Sequence, residues 1–375
     1  MTTLPPDCGD VTIDYPTVEC FLTSRIKKAI LALPNFPEAV KRSALPAYEI
    51  RVHKDFGLGM FANRDLDVGD LIVAERPLLI TQIMQMRPQT MRDAIDRMED
   101  SRRDAFYALR NVKGYTRDVT QGLSDTNAVG IPGLPGNAQE VFAAVCEAIS
   151  RINHSCTPNC AWSWHLRSFA MEVRALKPIK KGEQIFAGYT SPLDPRSHRR
   201  EFLSRRYKFH CMCSSCSLPD EDSKASDARR ARLKAISQDQ PGPGYPIPIF
   251  AWLSKSDNRD HEIVDRCMEA IHMMEQEQLW DVLVWPAILE RLVIVYCCLA
   301  DAENASFWAR KASALFKASN FGDDGGWSAV AERPQKTKWW GARQDGRRIW
   351  LELSQGISDR PAPLDWSSIP IPRGL

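Results

Sequence analysis

Cys211-Met212-Cys213-Ser214-Ser215-Cys216 places three thiols within six residues. Thiolates are soft ligands, and zinc takes four such donors at the corners of a tetrahedron. One loop supplies three, so the fourth must come from a distant part of the chain. The candidates are Cys156, Cys160 and the neighbouring His210. Cys156 stands out because Pro158 fixes its turn and its polar neighbours have no local cause. The plainer reading is three reduced cysteines buried in a turn. Metal is favoured over it: Ser-Ser and His210 accompany the thiols, and the eleven cysteines of the chain follow no secretory leader.

The second chemical stretch is Arg151-Ile152-Asn153-His154-Ser155-Cys156-Thr157-Pro158-Asn159-Cys160. The apolar residues Val141, Phe142, Val145, Ile149 and Ile152 before it recur at helical spacing, and Pro158 stops any helix. The pattern predicts Asn153 and His154 at a helix exit, packed on one side and turned on the other. A third stretch is Gly57-Leu58-Gly59. Glycines one residue apart permit a tight turn and a close backbone approach to a ligand. Alone the motif is weak, and a hairpin turn explains it as simply.

These residues need elements to hold them. Residues 1–46 form a Pro-rich N-terminal arm with one amphipathic piece at 21–33. Apolar, β-branched strands are expected at 49–52 and 71–75, a hairpin from 161–164 and 168–173, and a strand at 184–189 ending in Tyr189. A charged amphipathic helix is expected over 88–109, buried through Met91, Ile95, Met98, Phe106 and Leu109, and a loop-rich stretch over 114–137. Asp194-Pro195 caps and opens a helix over 196–207, whose His198, Arg199, Arg200, Arg205 and Arg206 read as a solvated face before a docking face for an acidic partner. Beyond Pro219 the strand signal ends. Helices are expected at 220–236, 259–274, 279–299 and 302–318, with a Gly/Pro linker at 238–248 and a last helix at 346–353 in a Trp-rich tail. Their spacing is that of tetratricopeptide-type hairpins, though two pairs do not establish a repeat.

Composition bounds the whole. The 375 residues are 44% hydrophobic and 26% charged, the balance of a soluble globular protein with a core. A net charge of +2 implies no bulk pull towards nucleic acid. No apolar run reaches membrane-span length, and the first residues lack the basic and apolar regions of a signal peptide. The expected location is the cytoplasm, the nucleus or both.

Taken in order, Gly57-Leu58-Gly59, Asn153-His154-Ser155-Cys156-x-Pro158-Asn159, Gly182-Glu183-Gln184-Ile185 through Tyr189, and the closing Cys-x-Cys-x2-Cys resemble SET-domain methyltransferases. The resemblance spans roughly residues 48–217 and is to the branch in which a zinc-binding MYND finger interrupts the SET domain and helix hairpins follow it. No cysteine lies between Cys20 and Cys146, so the finger is missing and its partner recognition is not carried over. The implied fold is α+β. It comprises a SET domain of small sheets over 47–190 with a helical insert at about 83–125, a post-SET zinc segment over 191–218, and an all-α, helical-hairpin (TPR-like) domain over 219–375. Within the SET domain the Asn153-His154 segment threads under the loop ending at Tyr189, a pseudoknot.

The resemblance also implies roles. The backbone of Gly57, Leu58 and Gly59, together with Asn153 and His154, holds S-adenosylmethionine, and Asn127 and Ser150 align with further contacts. Phe209 stacks on the adenine. Tyr189 lines the methyl-transfer channel and Tyr207 is a second channel aromatic; these are the catalytic pair. Cys156 joins Cys211, Cys213 and Cys216 around zinc. Phe56 and Leu58 are apolar where relatives often carry polar residues, which leaves the amino-acid end of the cofactor less well explained. The implied activity is S-adenosylmethionine-dependent N-methylation of a protein lysine, with the helical region offering a surface to a protein partner. A lysine ammonium, with a pKa of about 10.4, must lose its proton before attack. Two rivals stand beside this reading: a SET enzyme acting on a small-molecule amine, and a non-catalytic SET module that binds protein. Retention of Tyr189, Tyr207, Phe209 and Asn153-His154 argues against the last.

Overall fold

The computed structural model describes residues 1–6, 16–54, 57–82, 88–114, 118–135, 141–237, 249–254, 259–282 and 284–343. The expected linker at 238–248 and the expected helix at 346–353 lie outside these residues. Two compact units emerge: Met1–Tyr189 with Glu201–Cys211, and Thr190–Arg200 with residues 212–343.

The first unit opens with β1 (Thr2–Leu4), β2 (Val18–Cys20) and α1 (Ser24–Leu31), followed by β3 (Tyr48–His53), β4 (Gly57–Ala62), β5 (Leu71–Glu75) and β6 (Leu79–Gln82). Thr23 caps α1 by accepting from the Ile26 N–H at 3.3 Å, and Ile26 and Ile30 bury the apolar side of the helix. Helices α2 (Pro88–Asp96), α3 (Asp100–Tyr107) and α4 (Val119–Asn127) come next, then β7 (Val129–Ile131), β8 (Phe142–Val145), β9 (Asn153–His154), β10 (Cys160–His165), β11 (Ala170–Ala175) and β12 (Phe186–Ala187). A fifth helix, α5 (Arg196–Tyr207), starts behind Asp194-Pro195 as its sequence predicts.

The strands form small sheets: β1-β2-β6-β8-β7, β10-β11-β5, β12-β9 and β3-β4. The first has five strands because β2 from the N-terminal arm adds itself parallel to β6, with Glu19 opposite Leu79. The expected hairpin is β10–β11, in register from Cys160 opposite Ala175 to His165 opposite Ala170.

Three local expectations change. The helical spacing over 141–152 is not a helix. Phe142–Val145 is β8, buried at every position between β6 and β7, and Ile149–Arg151 is one 3-10 turn. A strand covered on both faces reads as an unbroken apolar run, which periodicity cannot separate from a buried helix. The single helix expected over 88–109 breaks into α2 and α3 around Met98, whose N–H turns back to the Ile95 carbonyl at 3.1 Å. The loop-rich stretch 114–137 contains α4, whose composition of Thr, Gly, Ser and Asn is poor in helix formers. Packing supports it instead: Leu123 joins Met91, Ile95, Phe106 and Leu109 in one core cluster. Gly122 is required there, because a Cβ would meet the Asn111 side-chain amide at 2.7 Å.

The second unit is helical over its described residues: α6 (Asp220–Ser237), α7 (Ile249–Ser254), α8 (Glu262–Gln276), α9 (Trp285–Cys298), α10 (Ala302–Ser319) and α11 (Trp327–Glu332). Helix α8 packs on α9, α9 on α10 and α10 on α11. The start of α9 falls later than the expected residue 279, at Trp285-Pro286, where proline's missing N–H costs nothing. Asp301 caps α10 by accepting from the Asn304 N–H at 3.0 Å.

Candidate functional site

Two runs about thirty residues apart clasp each other. Strand β9 pairs in parallel with β12, Asn153 opposite Phe186 and His154 opposite Ala187. The Ser155 N–H continues the ladder to the Ala187 carbonyl at 3.1 Å, and the Asn159 N–H reaches the Phe186 carbonyl at 3.1 Å. The Asn159 side chain acts as a further strand partner. Its Nδ2 donates to the Gln184 carbonyl at 2.9 Å, and its Oδ1 accepts from the Phe186 N–H at 2.7 Å. The sequence rule that Pro158-Asn159 belongs to the motif thus has a physical cause: a buried amide joins the two runs.

The clasp fixes Tyr189 at both ends. Its N–H donates to His154 Nδ1 at 2.9 Å, and its hydroxyl donates to the Ile152 carbonyl at 2.5 Å. Burial pushes the Tyr189 pKa well up, the nearby Tyr207 phenol and Cys160 thiol add to this, and the Arg110 guanidinium opposes it. The phenol therefore stays protonated, and its one proton is directed to Ile152. Its lone pairs are what it can offer an incoming N–H. The Tyr207 ring lies 4.8 Å from that of Tyr189, centroid to centroid, and its own pKa is raised mainly by burial. His154 stands 5.4 Å from Tyr189 and 6.2 Å from Phe209. Lys208, with φ 60, turns the chain between the end of α5 and Phe209. The expected aromatics Tyr189 and Phe209 thus both neighbour His154, and Tyr207 lies against Tyr189.

Gly57-Leu58-Gly59 opens β4, with Gly57 paired to His53 where the antiparallel β3–β4 pair begins. One edge of β4 pairs with β3. Along the other runs 182–185: the Ala62 N–H donates to the Glu183 carbonyl and the Ile185 N–H to the Met60 carbonyl, each at 2.8 Å. Gly57 has φ +71, a conformation glycine adopts without strain. At Gly59 a Cβ would clash with Gln184 Nε2 and stand 3.0 Å from Asn153 Nδ2. The missing side chain lets both amides lie against the strand, and Asn153 Nδ2 donates to the Leu58 carbonyl at 3.1 Å. Gln184 Nε2 is buried and has no hydrogen-bond partner among the described residues, a donor available beside the glycine strand. This cradle, with its unused amide and the aromatic rings about His154, fits a cofactor that has polar edges and a flat base.

Other expected contacts are more withdrawn. Asn127 directs both Nδ2 hydrogens inward, to the Arg110 and Leu123 carbonyls at 2.8 Å each, so only its Oδ1 can face a ligand. The Ser150 hydroxyl donates to the Cys146 carbonyl at 2.5 Å. The His154 ring is buried and engaged within the chain. Because Nδ1 accepts from Tyr189, the neutral ring carries its proton on Nε2, which stands 3.3 Å from Cys156 Sγ.

Sequence reasoning missed Arg110, Gln184, Glu75 and the Ile152 carbonyl. Arg110 Nη1 lies 3.7 Å from where a Gly57 Cβ would be. Glu75 accepts from the N–H groups of Glu147, Ala148 and Ile149 at 3.2, 3.2 and 2.6 Å, anchoring the turn that leads to Asn153. Gln184 and Ile152 lie inside motifs already singled out, whereas Arg110 and Glu75 carried no signal.

The ligand atoms of Cys156, Cys211, Cys213 and Cys216 all lie within 4.8 Å of one another. Zinc–sulfur bonds of about 2.3 Å in a tetrahedron put sulfurs roughly 3.8 Å apart, so the four cysteines fit zinc. The rivals fall away on geometry. The Cys160 thiol donates to the Phe186 carbonyl at 3.3 Å and burial pushes its pKa well up, while His210 is exposed. Four thiolates leave no open coordination position, so such a site organises structure and offers no Lewis acid.

The SET domain family matches residues 57–190, the span that holds the glycine strand, the clasp and Tyr189. The chain carries a SET domain over these residues. The histone-lysine N-methyltransferase set5 of Schizosaccharomyces pombe is 27% identical over 272 residues, which are 70% of this chain and 77% of that protein. N-lysine methyltransferase SMYD2 of Homo sapiens is 33% identical over 88 residues, 24% of this chain and 20% of that one. A SET and MYND domain-containing protein of Dictyostelium discoideum is 40% identical over 87 residues, 23% and 20% of the two chains. The likeness to the SET and MYND branch therefore stands, confined to about a fifth of those relatives' length. The SET domain here carries helices α2, α3 and α4 between β6 and β7, in a stretch without cysteine.

Proposed function

We propose that this SET protein transfers a methyl group from S-adenosylmethionine to the side-chain amine of a lysine in a protein. The SET domain and the methyltransferases it resembles support the reaction class. The observation that carries the rest is the doubly anchored Tyr189 in its aromatic surround.

S-adenosylmethionine supplies a methyl group on a sulfonium, an electrophile that needs a neutral amine in line with its departing bond. The Asn153 amide and the β4 backbone would hold its polar edge, and Phe209 would offer a face to its base. Tyr189 accepts an N–H of the amine through the lone pairs its Ile152 bond leaves free, which aims the nitrogen lone pair at the methyl. A phenol whose pKa is pushed well up cannot take the ammonium proton. That proton passes to solvent water as the side chain enters, before attack, and the rings of Tyr189 and Tyr207 favour its loss by desolvating the charge. The nitrogen lone pair forms the new N–C bond as the S–C bond breaks, and the methylated ammonium then sheds a proton to solvent.

Labelled methyl from S-adenosylmethionine, offered with whole-cell extract, is expected in the protein fraction. Label confined to the metabolite fraction would favour the small-amine reading, and label in neither would favour a binding module. Asn153→Ala is expected to weaken S-adenosylmethionine binding by about 1 kcal/mol, the cost of losing one polar contact. Calorimetric titration measures it, and wild-type affinity in folded Asn153→Ala protein would contradict the placement. Gly59→Ala should also weaken binding while melting temperature changes little, because the Cβ meets the mobile end of Gln184 and displaces the two amides rather than backbone.

A further inference from the structure

Four arginines take hold of the short loop that carries Cys213 and Cys216. Arg196 donates to the Leu218 carbonyl at 2.8 Å, and Arg200 to the Cys216 carbonyl at 2.7 Å. Arg199 and Arg230, 1% and 0% exposed, both donate to the Ser215 hydroxyl, at 3.2 and 2.9 Å. Each is tied back elsewhere, Arg199 to the Asp194 carbonyl and Arg230 to the Pro192 carbonyl. Arg230 also pairs with Glu277 at 2.9 Å, and Ser226 donates to the same carboxylate oxygen at 2.6 Å.

Two features set this network apart from ordinary surface pairing. A hydroxyl that receives two guanidinium N–H groups from different helices, α5 and α6, is fixed in position by bonds stronger than neutral ones. Glu277 pairs with Arg229 at 2.7 Å as well as with Arg230, and Asp227 lies 3.7 Å from Arg199. Buried guanidinium groups are stabilised by nearby negative charge. A zinc ion held by four thiolates carries a net double negative charge, and Ser215 is the immediate neighbour of Cys216.

We propose that Arg199 and Arg230, through Ser215, hold Cys213 and Cys216 in ligating position before metal arrives, so that the protein carries a preformed half of its metal site. The inference rests on the four-cysteine zinc reading. It differs from simple metal-coupled folding, in which the whole ligand loop orders only on binding. Here residues 213–218 stay docked in the metal-free protein, and only the flanking 208–212 stretch loosens. Ser215, Arg199 and Arg230 are positioning residues that do not touch the ion.

The test uses the full chain, stripped of metal under reducing conditions and titrated with cobalt(II). Thiolate-to-cobalt absorption and the tetrahedral ligand-field bands report the site directly. Ser215→Ala is expected to weaken cobalt binding by about tenfold, whereas Ser215→Thr, which keeps the hydroxyl, should bind like wild type. In metal-free wild type the amides of 213–218 should exchange slowly, and Ser215→Ala should release them. Equal cobalt affinity in Ser215→Ala would overturn the clamp while leaving the metal site standing. Rapid exchange of 213–218 in metal-free wild type would do the same, and this arm decides the matter even if a variant folds poorly. Absence of thiolate–cobalt bands in wild type would sink the metal reading and the clamp with it.

Discussion

Tyr189→Phe is expected to lower turnover by on the order of a hundredfold while S-adenosylmethionine affinity barely changes. The ring would remain packed by Tyr207 and His154, and the N–H bond to His154 Nδ1 does not involve the hydroxyl. What is lost is the oxygen whose single proton is committed to Ile152 and whose lone pairs can orient an amine. A group used chiefly in the transition state affects rate before binding. Single-turnover rates and calorimetric cofactor titration, run on the same preparation, separate the two. Wild-type turnover would remove Tyr189 from the catalytic role. Lost cofactor binding would mean that the hydroxyl holds the pocket together instead.

The second large effect concerns metal. Cys156→Ser is expected to empty a site that otherwise holds a single zinc, and to weaken cofactor binding as a consequence. Cys156 follows His154 by two residues, and Cys211 follows Phe209 by two. An ion shared by Cys156 and Cys211 therefore ties the polar side of the pocket to its stacking side. The histidine strengthens the link, since its Nε2 stands against Cys156 Sγ while Nδ1 receives Tyr189. Elemental analysis should find zinc lost in Cys156→Ser and Cys213→Ser, and retained in Cys160→Ser and His210→Ala. Zinc retained in Cys156→Ser but lost in either control would reverse the ligand assignment.

The legible parts of this site were those with distinctive side chains at short spacing. Three cysteines in one loop announce a ligand set, and Asn153-His154 before a proline is a polar interruption that local structure does not require. Which residue approaches that loop was not legible from spacing alone; in three dimensions the Cys156 thiol lies within ligating reach of it, while Cys160 bonds a carbonyl and His210 faces solvent. Backbone partners were invisible. Nothing in the letter Ile152 says that its carbonyl receives Tyr189, and nothing in Asn159 alone says that it joins two parallel runs. Parallel pairing of Asn153–His154 with Phe186–Ala187 leaves no turn signature in between. Local propensity misled where burial was complete, as at Phe142–Val145, and where packing overrode poor helix formers, as at Val119–Asn127. The His154 ring, expected at the cofactor, is engaged inside the chain, and only the tautomer forced by Tyr189 makes its second contact intelligible.

The most direct measurement is amino-acid analysis of extract protein labelled by the full chain with methyl-labelled S-adenosylmethionine, with Tyr189→Phe run in parallel. The account predicts radiolabelled methyl-lysine from wild type and little or none from Tyr189→Phe. Label recovered on another side chain, no labelled protein at all, or methyl-lysine undiminished in Tyr189→Phe would contradict it.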